Sequence, residues 1–202
     1  MHMSLKRYAA ALCGAVCGVT MMVAPAASAQ TPAATWIEYS PSFKVQQEGC
    51  GKVSDLTFQL TCSKSGASHD RAERRYVDYT SGAHKFEGTF KITSQGGSRI
   101  SLKQTFHGTQ GPYFLLAVEN GGRLYSVENQ KTIATGATIG TPVTVDTVHT
   151  AGKTIQVYIN GALKYTESSP GGTFYDKFGA YRTASGKGPI TVQWSDIHFW
   201  HQ

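Results

Sequence analysis

Beyond Gln30 the chain has no segment with a sustained helical period, which excludes a helical bundle and any fold that alternates helix with strand. It has no run of Lys and Arg and no basic helix, so nucleic acid is not an expected partner. Glu-x-Asp occurs nowhere, and with it goes the paired-carboxylate strand that a jelly-roll glycan hydrolase would need. Gly-x-Ser-x-Gly, His-Glu-x-x-His and a phosphate-cradling loop are also missing. Cysteine is scarce: there are 4, and Cys13 and Cys17 fall in what reads as a leader.

That leader is a processing signal by pattern. Lys6 and Arg7 precede a short apolar run from Tyr8 to Val23, and Ala27-Ser28-Ala29 offers a cleavage site before Gln30. The expectation is an exported protein with a signal peptide over 1–29, a linker over 30–35 and one domain over 36–202. No membrane contact is expected once the leader is removed. Loss of Lys6 and Arg7 lowers the formal charge from +6 to +4, a basic excess that suits an anionic partner without identifying it. In an oxidising compartment Cys50 and Cys62 are expected to form a disulfide, stabilising by about 2 to 3 kcal/mol. No cofactor or metal is expected, and a monomer is.

What is present reads as β almost throughout. Runs rich in Val, Ile, Thr, Tyr and Phe alternate with turn signals such as Gly96-Gly97, Asn120-Gly121-Gly122 and Asn160-Gly161. Expected strands include Val53–Leu60, Arg71–Tyr79, His84–Thr93, Arg99–His107, Phe174–Arg182 and Ile190–Trp200. In the last, Ile190, Val192 and Trp194 share one parity and Ile197 and Phe199 the other, so a bulge is expected near Ser195-Asp196. So many antiparallel strands imply an all-β, single-domain jelly-roll sandwich of two antiparallel sheets.

Three stretches carry candidate chemistry. On a strand, His69, Arg71, Glu73 and Arg75 point one way, two guanidinium forks around one carboxylate, a row suited to recognising carboxylates or to a plain ladder of salt bridges. In Gln104-Thr105-Phe106-His107, Gln104 and Phe106 share a face, and His107 points away unless the strand bulges. In Tyr175-Asp176-Lys177-Phe178-Gly179-Ala180-Tyr181, period two puts Tyr175, Lys177, Gly179 and Tyr181 together. A cation beside a phenol favours phenolate, and the bare glycine leaves room for a chain lying across the strand.

Together these stretches resemble the alginate-lyase group of jelly-roll polysaccharide lyases, including the related glucuronan lyases. Arg71-Ala72-Glu73-Arg74-Arg75 is similar to the family's Arg-x-Glu-x-Arg strand. Gln104-Thr105-Phe106 is similar to its Gln-x-His strand, with Phe where many members have His. Tyr175 to Tyr181 is similar to its Tyr-x-Lys-x-Gly-x-Tyr strand. The resemblance implies a concanavalin-A-like sandwich that cleaves an anionic uronate polysaccharide by β-elimination. It implies catalytic roles for Tyr181, Gln104, His69 and Arg71, and substrate contacts from Arg75, Glu73, Lys177, Tyr175 and His107. Phe106 leaves the base open: His107 brought round by a bulge, His69, or one tyrosine acting as both base and acid. A non-catalytic, lectin-like module on the same sandwich is the rival, since binding alone would account for Arg71, Arg75, Lys177 and Tyr175.

Overall fold

The structure, a computed structural model, describes residues 35–64 and 69–202. The expected leader, and the expected linker apart from Thr35, lie outside the described residues. In chain order the strands begin with β1 (Ile37–Tyr39), β2 (Phe43–Glu48), β3 (Gly51–Ser54), β4 (Thr57–Leu60) and β5 (Arg71–Tyr76). They continue with β6 (Ala83–Gln95), β7 (Ser98–His107), β8 (Pro112–Val118), β9 (Leu124–Ser126) and β10 (Thr132–Ala134). The last are β11 (Pro142–Thr150), β12 (Thr154–Ile159), β13 (Ala162–Ser168), β14 (Phe174–Lys187) and β15 (Ile190–His201). One sheet runs β13-β12-β11-β6-β15-β4-β3, with β1 also on β15; the other runs β10-β9-β8-β7-β14-β5-β2. Pairing is antiparallel throughout, and the two sheets stack as a jelly-roll sandwich.

The strands follow from alternation. Ile155, Val157 and Ile159 of β12 point into the core, and Asn160-Gly161 turns the chain into β13 with positive φ at both residues, as a tight hairpin requires. In β15 the register slips between Ser195 and His198, and Asp196 has φ +53°, which is the expected bulge. Two expectations change. Val53–Leu60 is a hairpin rather than one strand, turning at Asp55 with φ +51°. β2 was not anticipated, because it is a largely exposed edge whose residues show no buried alternation.

The core is aromatic beneath β14. Phe178 lies 5.0 Å from Trp194, 5.5 Å from Phe58 and 5.6 Å from Phe86, ring centre to ring centre. Burial of such a ring contributes about 1.5 to 3 kcal/mol, and here it decides which way the strand faces. With Phe178 and Ala180 inside, Lys177 and Tyr181 belong to the outer side, and the β7–β14 register shifts between Phe178 and Tyr181.

Inside the sandwich lies a polar cluster. Lys103 Nζ is 2.5 Å from Asp176 Oδ1, and Thr105 Oγ1 donates to the same oxygen at 2.7 Å. Close by, His149 bonds Tyr79 Oη through Nδ1 (2.8 Å) and Ser169 Oγ through Nε2 (2.7 Å). Burial lowers the His149 pKa to about 4, against a smaller upward pull from Asp176. An unfolded chain therefore takes up this proton first as pH falls, so the contribution is complete above the ordinary value of 6.5 and is lost as pH falls from 6.5 to 4. The expected loss is about 3 kcal/mol. Glu128, raised to about 7 chiefly by burial, acts in the opposite sense. The His149 contribution is thus read as the difference between the protein and His149→Gln in urea midpoints across that pH range; parallel curves would refute it.

Candidate functional site

β14 lies between β5 and β7, and this placement assembles the site. Tyr181 stands opposite Arg71, Lys177 opposite both Arg75 and Gln104, and Tyr175 opposite Phe106. The side chains expected to act together therefore share the outer face of one sheet.

At one end, His69 Nδ1 is 3.3 Å from Tyr181 Oη. His69 precedes β5 with φ +54° rather than extending it, yet its ring still reaches the phenol. The Arg71 guanidinium lies 5.2 Å over the Tyr181 ring, ion-pairs with Glu48 at 3.2 Å and donates from Nε to the His69 carbonyl at 3.3 Å. Burial raises the Tyr181 pKa; Arg71 pulls it back, and Glu73 and Glu48 push it further up. The expected drift towards phenolate is thus reversed, and the phenol keeps its proton.

In the middle sit Gln104, Glu73 and Lys177, all 2% exposed or less. Gln104 donates an amide hydrogen to Glu73 Oε1, and Lys177 Nζ lies 3.5 Å from Glu73 Oε2. Burial raises Glu73 and lowers Lys177, each opposed by its partner's charge. Glu73 and Lys177 are thus partnered with each other and with Gln104 in one buried layer of the sheet. Gly179 is required by the strand packing itself. Its φ is +143°, and a Cβ there would lie 2.2 Å from the Ala72 carbonyl oxygen, so glycine lets β14 close against β5.

At the other end, the Tyr175 ring is sandwiched between Phe106 (5.2 Å, 11° between planes) and the Arg75 guanidinium at 3.9 Å. Arg75 is also paired with Asp78 at 2.7 Å. This end opens on a cavity of about 860 Å³ lined by Arg75, Phe106, His107, Gln110, Gly172 and Tyr175. The β7–β8 register slips between Thr105 and Phe106, and His107 Nε2 donates to the Gly171 carbonyl at 3.0 Å with its ring stacked on Phe174. His107 faces Phe174 in register, seven residues along β14 from Tyr181, or roughly 23 Å of strand rise. Of the two histidines weighed as base, His69 is the one beside the phenol.

Sequence reasoning missed Glu48, Asp70 and Arg182. Glu48 lies on the unanticipated β2. Asp70 and Arg182 adjoin the histidine and tyrosine that were singled out but face the interior, where they pair with each other at 3.1 Å. Cys50 and Cys62 are bonded, as expected.

No protein-family profile and no curated protein matches the chain. Solved structures do. The alginate lyase of a Corynebacterium species is 20% identical, with a TM-score of 0.61 over 81% of this chain and 82% of that one. An alginate lyase of Pseudomonas aeruginosa is 17% identical, with a TM-score of 0.59 over 81% and 88%. A marine alginate lyase of Zobellia galactanivorans is 15% identical, with a TM-score of 0.57 over 83% and 95%. The chain has the jelly-roll fold of the alginate lyases.

Proposed function

We propose that this is a polysaccharide lyase that cleaves an anionic, uronate-containing chain by β-elimination. The observation that carries the reading is the Tyr181–His69 contact beside Arg71, on the sheet face shared by Gln104. A uronate is cut by removing the C5 proton beside the carboxylate and expelling the C4 oxygen. Arg71 and the second amide hydrogen of Gln104 would hold that carboxylate as charge moves onto it in the enolate-like intermediate. Tyr181 takes the C5 proton while its own proton passes to His69 Nδ1. The C4–O bond then breaks, Tyr181 protonates the departing O4, and His69 returns its proton to the phenol. One chain becomes two, the new end carrying a C4=C5 double bond.

Phe106 refines the substrate. With an aromatic ring on the Gln104 side, taking and giving the proton both fall to the Tyr181 end. One group serves both steps when C5–H and C4–O lie on the same face of the sugar, as in mannuronate and glucuronate; in guluronate and galacturonate they lie on opposite faces. Arg75 and the Tyr175–Phe106 stack line the neighbouring sugar site. The disulfide and the leader pattern support secretion.

The test follows absorbance near the unsaturated-uronate band at roughly 235 nm with polymannuronate, polyglucuronate, polyguluronate and pectate in separate cuvettes. Polymannuronate or polyglucuronate is expected to gain absorbance at least about tenfold faster than the other two, a ratio set by about 1.4 kcal/mol of barrier. Retention on immobilised uronan with no absorbance change for any polymer would establish the lectin-like reading instead.

A further inference from the structure

His69-Asp70 and Tyr181-Arg182 are two neighbouring dipeptides with the same construction. The first member of each turns outward, and the two meet at 3.3 Å; the second turns inward, and the two form an ion pair at 3.1 Å with side chains 2% exposed or less. The Arg182 backbone N–H also donates to the Asp70 carbonyl at 3.0 Å. The outer contact is therefore mounted on the inner one.

The inner pair in turn rests on the disulfide. Arg182 Nη2 lies 3.0 Å from Cys62 Sγ and 3.4 Å from Cys50 Sγ, and donates to the Cys62 carbonyl at 3.3 Å. The Cys50 backbone N–H donates to Asp70 Oδ1 at 3.2 Å, and that carboxylate lies within 4.8 Å of both sulfurs. Glycines flank Cys50 because nothing larger fits. A Cβ at Gly49 would fall 1.6 Å from Asp70 Oδ1, and one at Gly51 1.7 Å from the Arg71 carbonyl oxygen. The loop closed by the bond thus presses directly on the segment that carries His69, whose backbone is held in the left-handed region, φ +54°.

We infer that Asp70 and Arg182, clamped on the Cys50–Cys62 disulfide, are positioning residues for the His69–Tyr181 pair, so that proton transfer at the site requires the oxidised bond. A thiol reductant that converts the bond to two thiols, itself becoming a disulfide, frees the β3–β4 loop from its covalent closure. Asp70 then loses its fixed wall and His69 drifts from the phenol. The closed loop contributes Phe58 and Leu60 to the core, but Tyr76, Phe86, Phe178, Trp194 and Phe199 all come from strands outside it. Misplacing a proton-transfer partner by about 1 Å lowers turnover about 100-fold without weakening substrate binding.

The activity arm of the test rests on the lyase reading; the positioning itself does not. Ring-to-ring nuclear Overhauser contacts are recorded for the oxidised protein, for the protein in a dithiol reductant, and for Asp70→Asn with the disulfide intact. The His69–Tyr181 contact is expected in the first and lost in the other two, while the Tyr76–Phe199 contact in the core, 4.4 Å between ring centres, persists in all three and reports an intact fold. Turnover of the best uronan is expected to fall about 100-fold in kcat with KM unchanged. A His69–Tyr181 contact that survives both reduction and Asp70→Asn overturns the inference, as does its loss with kcat unaltered. If no uronan is cleaved by the oxidised protein, the lyase reading falls, and the ring contact alone decides the positioning.

Discussion

Tyr181→Phe is expected to lower kcat on the preferred uronan by about 10² to 10⁴-fold, with KM nearly unchanged. The ring keeps its place under the Arg71 guanidinium and its neighbours keep theirs, so only the proton carrier is removed. Burial raises the pKa of the phenol, so in the proposed mechanism it is a donor for O4 rather than a standing base, and it relies on His69 at 3.3 Å to take its proton as it takes one from C5. His69→Gln should therefore cost nearly as much as Tyr181→Phe, and the double variant little more than either, because the two side chains act as one unit. Steady-state kinetics on the four polymers checks this. Activity within about tenfold of the parent in Tyr181→Phe would move the proton transfer to another group, with Tyr175 and His107 the remaining candidates on that face.

The second large effect concerns stability. Lys103→Met is expected to destabilise the fold by about 3 to 5 kcal/mol, because it leaves the Asp176 carboxylate buried without its countercharge. Burial alone would raise Asp176; Lys103 at 2.5 Å and the Thr105 hydroxyl overcome that and hold it below the ordinary carboxylate value. Lys103 is itself lowered by burial, with Asp176 opposing. Replacing both partners with apolar residues of similar size should recover much of the loss, since the charge and its desolvation disappear together. Urea unfolding of the single and double variants measures the coupling. Equal stability of Lys103→Met and the parent would show that the pair contributes nothing. Asp176 sits between Tyr175 and Lys177, so this interior pair also fixes β14 to β7 in the register that sets Lys177 against Gln104.

Much of this was legible in the sequence because a strand has a period of two. Alternation alone separates Phe178 and Ala180 from Tyr175, Lys177 and Tyr181; that Arg71 and Gln104 share the face of Tyr181 comes from the strand pairing. The bulge in β15 is visible as a change of parity, and the disulfide as two cysteines left in a short loop. Depth was not legible. Period two says to which side of a sheet Glu73, Gln104 and Lys177 belong, not that the three form a layer only 2% exposed or less. Glu48 was hidden because an exposed edge strand carries no apolar alternation. Asp70 and Arg182 were hidden because an inward charge is identified by its partner, and 112 positions separate these two along the chain. The close approach at Gly179 was hidden for a related reason: the neighbour that leaves no room for a side chain is the Ala72 carbonyl on another strand.

The position of β14 has a bearing on how the protein comes into being. The strand that supplies Tyr181 is nearly the last to be synthesised, yet it fills the gap between β5 and β7, both made much earlier. Until it slots in, those two have no shared neighbour, and His69 has no phenol to face. On the proposed lyase reading, a chain whose tail is still inside the ribosome would be harmless to a uronate polymer, because the His69–Tyr181 pair forms only when that tail has been released.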